Sequence, residues 1–176
     1  MVLFMNNLYG LLCYGYGKYN NSINANLGDE IQSIAASYFL PRIDRMIDRE
    51  RIADNSQYKG EKIKIIMNAW YQHDGNQWPP NCNLEPLFVA VHLNINNKCF
   101  SKNLFSDSSI AYLKKHGPIG ARDIHTQNIL LEHGIDSYFS GCITLTLPKN
   151  ANIKKQEYVL CVDVKDEVVE FIKKKY

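Results

Sequence analysis

The sequence lacks any long apolar run. No window approaches about 18 unbroken apolar residues, so no membrane-spanning helix is expected. It also lacks paired cysteines: its five (Cys13, Cys82, Cys99, Cys142 and Cys161) are odd in number, widely spaced and free of any C-x-x-C pair. That argues against a disulfide framework and a structural zinc site, and predicts reduced, mostly buried thiols with no metal. There is no excess of one charge either. The net charge is +2, and Lys and Arg are scattered rather than pooled, so no nucleic-acid partner is expected. The one compact basic run, Lys173 to Lys175, closes an expected helix, where it complements the negative end of the dipole. The N-terminal stretch MVLFMNNLYGLLCYGYG is apolar but has no basic leader region and no small-x-small cleavage site, so a cytoplasmic location is expected. Internal repeats and low-complexity tracts are missing as well.

What is present is ordinary globular material. Apolar residues make up 45% and charged residues 22% of a 176-residue chain, enough for one good core and too little for two full nucleotide-binding-type domains. Leu11 to Tyr14, between Gly10 and Gly15, predict a buried strand, followed by a Gly- and Asn-rich loop to Leu27. Ile31, Ile34, Ala35, Tyr38 and Phe39 repeat at helical spacing and predict a helix with that face on the core, ended by Pro41. Residues 42 to 51, RIDRMIDRER, alternate in sign and read as a solvated segment whose charges pair with one another. KIKIIMNAW from Lys62 reads as a strand, WPPNCNLEP as a loop because of Pro79, Pro80 and Pro86, and Leu87 to Val91 as a buried parallel strand.

Further on, Ser108 to His116 predict a short helix stopped by Gly117 and Pro118, and Ile119 to Ala121 a short strand. Asp123 is placed to cap a helix running to His133, with Gly134 just beyond its end. Tyr138 with Phe139, Ile143 to Leu147, and Tyr158 to Val164 read as strands. Residues 148 to 156 read as a linker and Val168 to Lys174 as a helix. Strands alternating with helices predict an α/β fold, a Rossmann-like three-layer domain with a mostly parallel sheet.

Several positions invite chemistry. Asp29, in NLGDEIQS, fits a helix cap with Gln32 reaching back, and it also follows the first strand at the carboxyl edge of the expected sheet, where ligands bind. A carboxylate there repels phosphate and suits a hydroxyl-bearing ligand. Arg122, in PIGARD, sits at the same edge with no carboxylate one helical turn away. It reads either as a bidentate anion site or as half of a structural ion pair. His92, after LFVAV, is either a packed histidine or an acid-base group. Trp70, Tyr71 and Trp78 flank the proline loop, either to stack on a sugar or to anchor the loop. Cys142 reads as a small buried residue.

Taken together, NLGDEIQSIA (26 to 35), MNAW (67 to 70), WPPN (78 to 81), PLFVAVH (86 to 92), PIGARD (118 to 123) and GIDSYFSGCITLTL (134 to 147) resemble the polysaccharide pyruvyl transferase family, whose two-domain architecture is similar to that of GT-B glycosyltransferases. The resemblance implies an enzyme of surface-glycan biosynthesis that transfers pyruvate from phosphoenolpyruvate, its donor substrate, to sugar hydroxyls as a ketal, without a bound cofactor. It implies that residues 1 to 148 form the N-terminal, acceptor-side domain. Residues 149 to 176 would be a linker with the first strand and helix of an incomplete second domain. Arg122 would then bind the anionic donor, Asp29 and His92 would exchange protons or face the acceptor, and Gly28, Trp70 and Trp78 would line the acceptor site. Gly141 and Cys142 stand where many members of the family have an acidic residue and a proline. The expected partners are a sugar or polysaccharide and, as a homo-oligomer, a second chain that rebuilds the cleft. A glycan or nucleotide-sugar binding module without catalysis, or a glycosyltransferase-like protein, is the alternative.

Overall fold

The computed structural model describes residues 7–15, 26–149, 152, 154, 157–161 and 164–175. The Gly- and Asn-rich loop expected before Leu27 lies largely outside them, as does much of the linker after Lys149. The fold is α/β with a parallel sheet. Its main ladder uses β1 (Leu8–Cys13), β2 (Arg45–Asp48), β3 (Ile63–Met67) and β5 (Leu84–Phe88) in the order β2-β1-β3-β5. Two shorter parallel ladders carry the sheet onward: β4 (Trp70–Tyr71) with β6 (His92–Leu93), and β7 (Ile119–Ala121) with β8 (Ser137–Phe139). The bridge between Val91 and Ala121 ties the last pair to the rest.

The pleat sorts the core onto two faces. Successive strand residues point to opposite sides, so Leu12, Ile65 and Met67 join one buried cluster while Leu11 and Ile66 join another. The first cluster is covered by α2 (Lys98–Leu104), α3 (Asp107–Lys115) and α4 (Ile124–Glu132), which contribute Phe100, Leu104, Leu113 and Leu130. The second is covered by Ala35 and Ala36 of α1 (Leu27–Ser37) and by Ile143. The three layers of a Rossmann-like domain follow from this alternation. Asp123 caps α4 by accepting from the Thr126 N–H, and Gly134 beyond its end has φ of 66°, a left-handed position that favours glycine.

Several expectations are corrected. The helix α1 is turned over: Ile31, Ile34, Tyr38 and Phe39 are exposed, and Asp29, Gln32, Ser33, Ala35 and Ala36 are buried. The charged run 42 to 51 is not a solvated segment. It contains β2, with Ile47 in the core, and then Arg49 and Glu50, both buried. Pro86 lies inside β5 rather than in the preceding loop; β5 is the outer strand of its ladder, where a missing donor is tolerated. Leu87 on the same strand is exposed, so that run is not buried on both sides. Ile143–Thr146 is a 3-10 turn and not a strand, and no strand occurs among the described residues between 157 and 164. The helix α5 (Asp166–Lys175) forms as expected and buries none of its side chains. All five thiols are free and none is fully buried, with Cys82 and Cys99 exposed. No helix among the described residues is long and apolar enough to cross a membrane.

Candidate functional site

A cavity of about 300 Å³ opens at the carboxyl edge of the sheet, lined by Asn26, Gly28, Asp29, Gln32, Arg49, Trp70, His73 and Arg122. Each lining residue follows the end of a strand or belongs to it: 26 to 32 come after β1, Arg49 after β2, Trp70 and His73 from β4 and the turn beyond, Arg122 after β7. In the main ladder β1 pairs with β2 on one side and β3 on the other, so the connection from β1 to β2 and the one from β2 to β3 run in opposite directions across the sheet and open a crevice beside β1.

The floor is built locally. Asn26, and not Asp29, is the N-cap of α1: its side chain accepts from the Gly28 N–H at 3.0 Å. Asp29 is thereby moved into the first turn, on the buried side. Gln32 does not reach back to a cap; its Nε2 donates to the Gly28 carbonyl at 3.2 Å. After β2, the Asp48 side chain accepts from the Glu50 N–H at 3.0 Å and turns the chain so that Arg49 and Glu50 point inward. Asp48 also accepts from the Gly15 N–H at 3.0 Å, and a Cβ at Gly15 would run into that carboxylate.

Arg49 is the centre of the charge arrangement. Its Nη1 donates to Asp29 Oδ2 at 3.2 Å and its Nε to Glu50 Oε1 at 2.7 Å. Its guanidinium lies over the rings of Tyr14 and Trp70, 4.6 and 5.7 Å from their centroids. Burial opposes the charge, but the facing carboxylates of Glu50 and Asp29 outweigh it and raise the Arg49 pKa. Burial likewise pushes the Tyr14 hydroxyl up to about 12, so it stays protonated beside the cation. Glu50 Oε1 meets His73 Nδ1 at 3.0 Å, and the His73 ring is 4.5 Å from that of Trp70.

Arg122 differs from Arg49. Among the described residues its guanidinium has no ion pair and no hydrogen bond, while its backbone N–H is fixed to the Val91 carbonyl at 2.7 Å. The cavity therefore offers one cation already shared by two carboxylates and one that is not. Buried atoms with no hydrogen-bond partner among the described residues include Gln32 Oε1, Glu50 Oε2 and Asn68 Oδ1.

The expected site residues divide. Asp29, Gly28, Trp70 and Arg122 line one cavity. His92 does not; its Nδ1 is 2.6 Å from Asp123 Oδ2, on the residue next to Arg122. Trp78 is buried in the core, where it packs on Tyr71 and Phe100 and donates to Ser109 Oγ at 2.7 Å, so it lines no acceptor site. Sequence reasoning missed Arg49, Glu50, Gln32 and His73. The signal for Arg49 and Glu50 was a charged pair directly after a β-strand, which places them at the same edge as Asp29. Among the described residues no group of His, Cys, Asp or Glu could hold a metal ion. No family model matches the chain, and neither a curated protein nor a solved structure matches it.

Proposed function

We propose that the chain is a transferase resembling the polysaccharide pyruvyl transferases, which moves the pyruvyl group of phosphoenolpyruvate onto sugar hydroxyls in glycan assembly. The observation that carries this reading is Arg122, a cation without a carboxylate partner among the described residues, in the same cavity as the buried Asp29. A donor with a carboxylate and a phosphate needs such a cation, because a guanidinium binds either group through two parallel N–H donors. An acceptor needs groups that read hydroxyls and a sugar face, and Asp29, Gln32 and Trp70 supply both in the same cavity. The chemistry asks for proton exchange and for charge neutralisation at the leaving phosphate.

Asp29 and Trp70 in one cavity also favour a second reading, a glycan or nucleotide-sugar binding module without catalysis. Saturation-transfer NMR with phosphoenolpyruvate, a hexose and a uridine diphosphate hexose separates the two. The transferase reading expects saturable binding of phosphoenolpyruvate. Binding of the sugars alone would replace it with the second.

A further inference from the structure

Four ionisable side chains run in sequence from the floor of the cavity to its wall. Asp29 meets Arg49 at 3.2 Å, Arg49 meets Glu50 at 2.7 Å, and Glu50 meets His73 Nδ1 at 3.0 Å. Their exposure changes along the series: the Arg49 and Glu50 side chains are 1% and 2% exposed, while that of His73 is 43% exposed and lines the cavity.

That gradient has a chemical meaning. A carboxylate only accepts hydrogen bonds, so its partner nitrogen on the ring must carry the proton. With Glu50 on Nδ1, the lone pair of neutral His73 is on Nε2, the nitrogen suited to take a proton. Arg49 holds the same Glu50 oxygen, Oε1, through its Nε at 2.7 Å, and the Trp70 ring at 4.5 Å limits how the imidazole can turn. His92 has a similar carboxylate on its Nδ1, but it is not part of the cavity wall.

We propose that His73 is the residue that exchanges the proton of the acceptor hydroxyl, with Glu50 as its positioning residue. This rests on the transferase reading above. In the step, the acceptor O–H bond breaks as its oxygen bonds C2 of the donor, and the proton passes to His73 Nε2. The imidazolium then returns that proton to the phosphate oxygen as the C2–O bond to phosphate breaks. The proton that turns the donor methylene into a methyl group comes from solvent and is restored when the second hydroxyl releases its own as it closes the ketal. No oxidant or reductant is needed.

The test is steady-state phosphate release from phosphoenolpyruvate, with a panel of hexose and N-acetylhexosamine glycosides as acceptors, for the whole chain and its variants. The expected result is that His73→Gln lowers kcat by roughly 10²- to 10⁴-fold while KM for phosphoenolpyruvate stays within about twofold. Added imidazole should restore part of the turnover of His73→Gly, which a purely structural role for the side chain would not allow. Glu50→Gln should lower kcat by roughly tenfold, again with KM for phosphoenolpyruvate held. Circular dichroism checks that each variant folds; His73 is partly exposed, so its variants are the robust ones. A His73→Gln kcat within about threefold of wild type, or a His73→Gly that imidazole does not rescue, overturns the assignment while leaving the transferase reading standing. Absence of phosphate release from the wild-type chain with every acceptor overturns the transferase reading, and the His73 assignment with it.

Discussion

Arg49 donates to Asp29 across 3.2 Å, between side chains only 1% and 9% exposed, and so pins the turn after β2 against the first turn of α1. Removing one partner of such a pair leaves the other as an uncompensated buried charge. Arg49→Met is therefore expected to cost about 3–5 kcal/mol in urea denaturation, since it strips the cation from both Asp29 and Glu50. Adding Asp29→Asn and Glu50→Gln to that variant should recover much of the loss. A loss below about 1 kcal/mol for Arg49→Met would mean the pair is solvated in practice.

The helix α1 starts at its Asn26 cap and not at Asp29. Asn26→Ala should lower stability by about 0.5–2 kcal/mol, and Asn26→Ser by far less, because serine restores an acceptor for the Gly28 N–H. Thermal denaturation of the two variants side by side is the check.

Asp123 gives the stability a defined acid dependence. Burial pushes its carboxyl up, but hydrogen bonds from His92 and from both the N–H and hydroxyl of Thr126 outweigh it, and its pKa is lowered from 3.8. A group depressed in the folded state contributes fully above its unfolded value and loses that contribution as pH falls through the folded one. The stability gap between wild type and Asp123→Asn should accordingly be constant above about pH 5 and close as pH falls below about 4. Urea midpoints across that range measure it, and a gap that widens toward acid would contradict the sign.

Cys13 at the end of β1 should be the slow thiol. Burial, then the nearby Asp48 and Glu30 carboxylates, raise its pKa to about 11. Its thiolate fraction at pH 8 is then about a hundredfold below that of a free cysteine, so peptide mapping after timed maleimide labelling should find it modified last. Cys82 and Cys99, both exposed, should label early.

The strands were legible where their apolar residues are continuous, as in Ile63–Met67, because a strand covered on both faces has no polar side to confuse the pattern. The helix α1 was legible as a helix and misread in orientation. Periodicity located an apolar face at Ile31, Ile34 and Tyr38, but the side toward the sheet is the one that carries the site, with Asp29 and Gln32 on it. Arg49 and Glu50 looked solvated because the partner that allows their burial, Asp29, is twenty residues away in sequence. Trp78 and Trp70 were indistinguishable in sequence; only the Ser109 hydroxyl and the Phe100 ring explain why one is core and the other lines the cavity. Arg122 drew attention because no carboxylate stands one helical turn from it, and among the described residues its guanidinium makes no ion pair.

Isothermal titration of phosphoenolpyruvate into wild type and Arg122→Ala decides whether Arg122 binds an anion, as proposed, or serves only the fold. The expected result is a loss of affinity of roughly 10- to 100-fold, from the removal of charged hydrogen bonds, with unfolding stability held within about 0.5 kcal/mol because Arg122 has no ion pair among the described residues to break. Unchanged affinity together with a marked loss of stability would contradict the account.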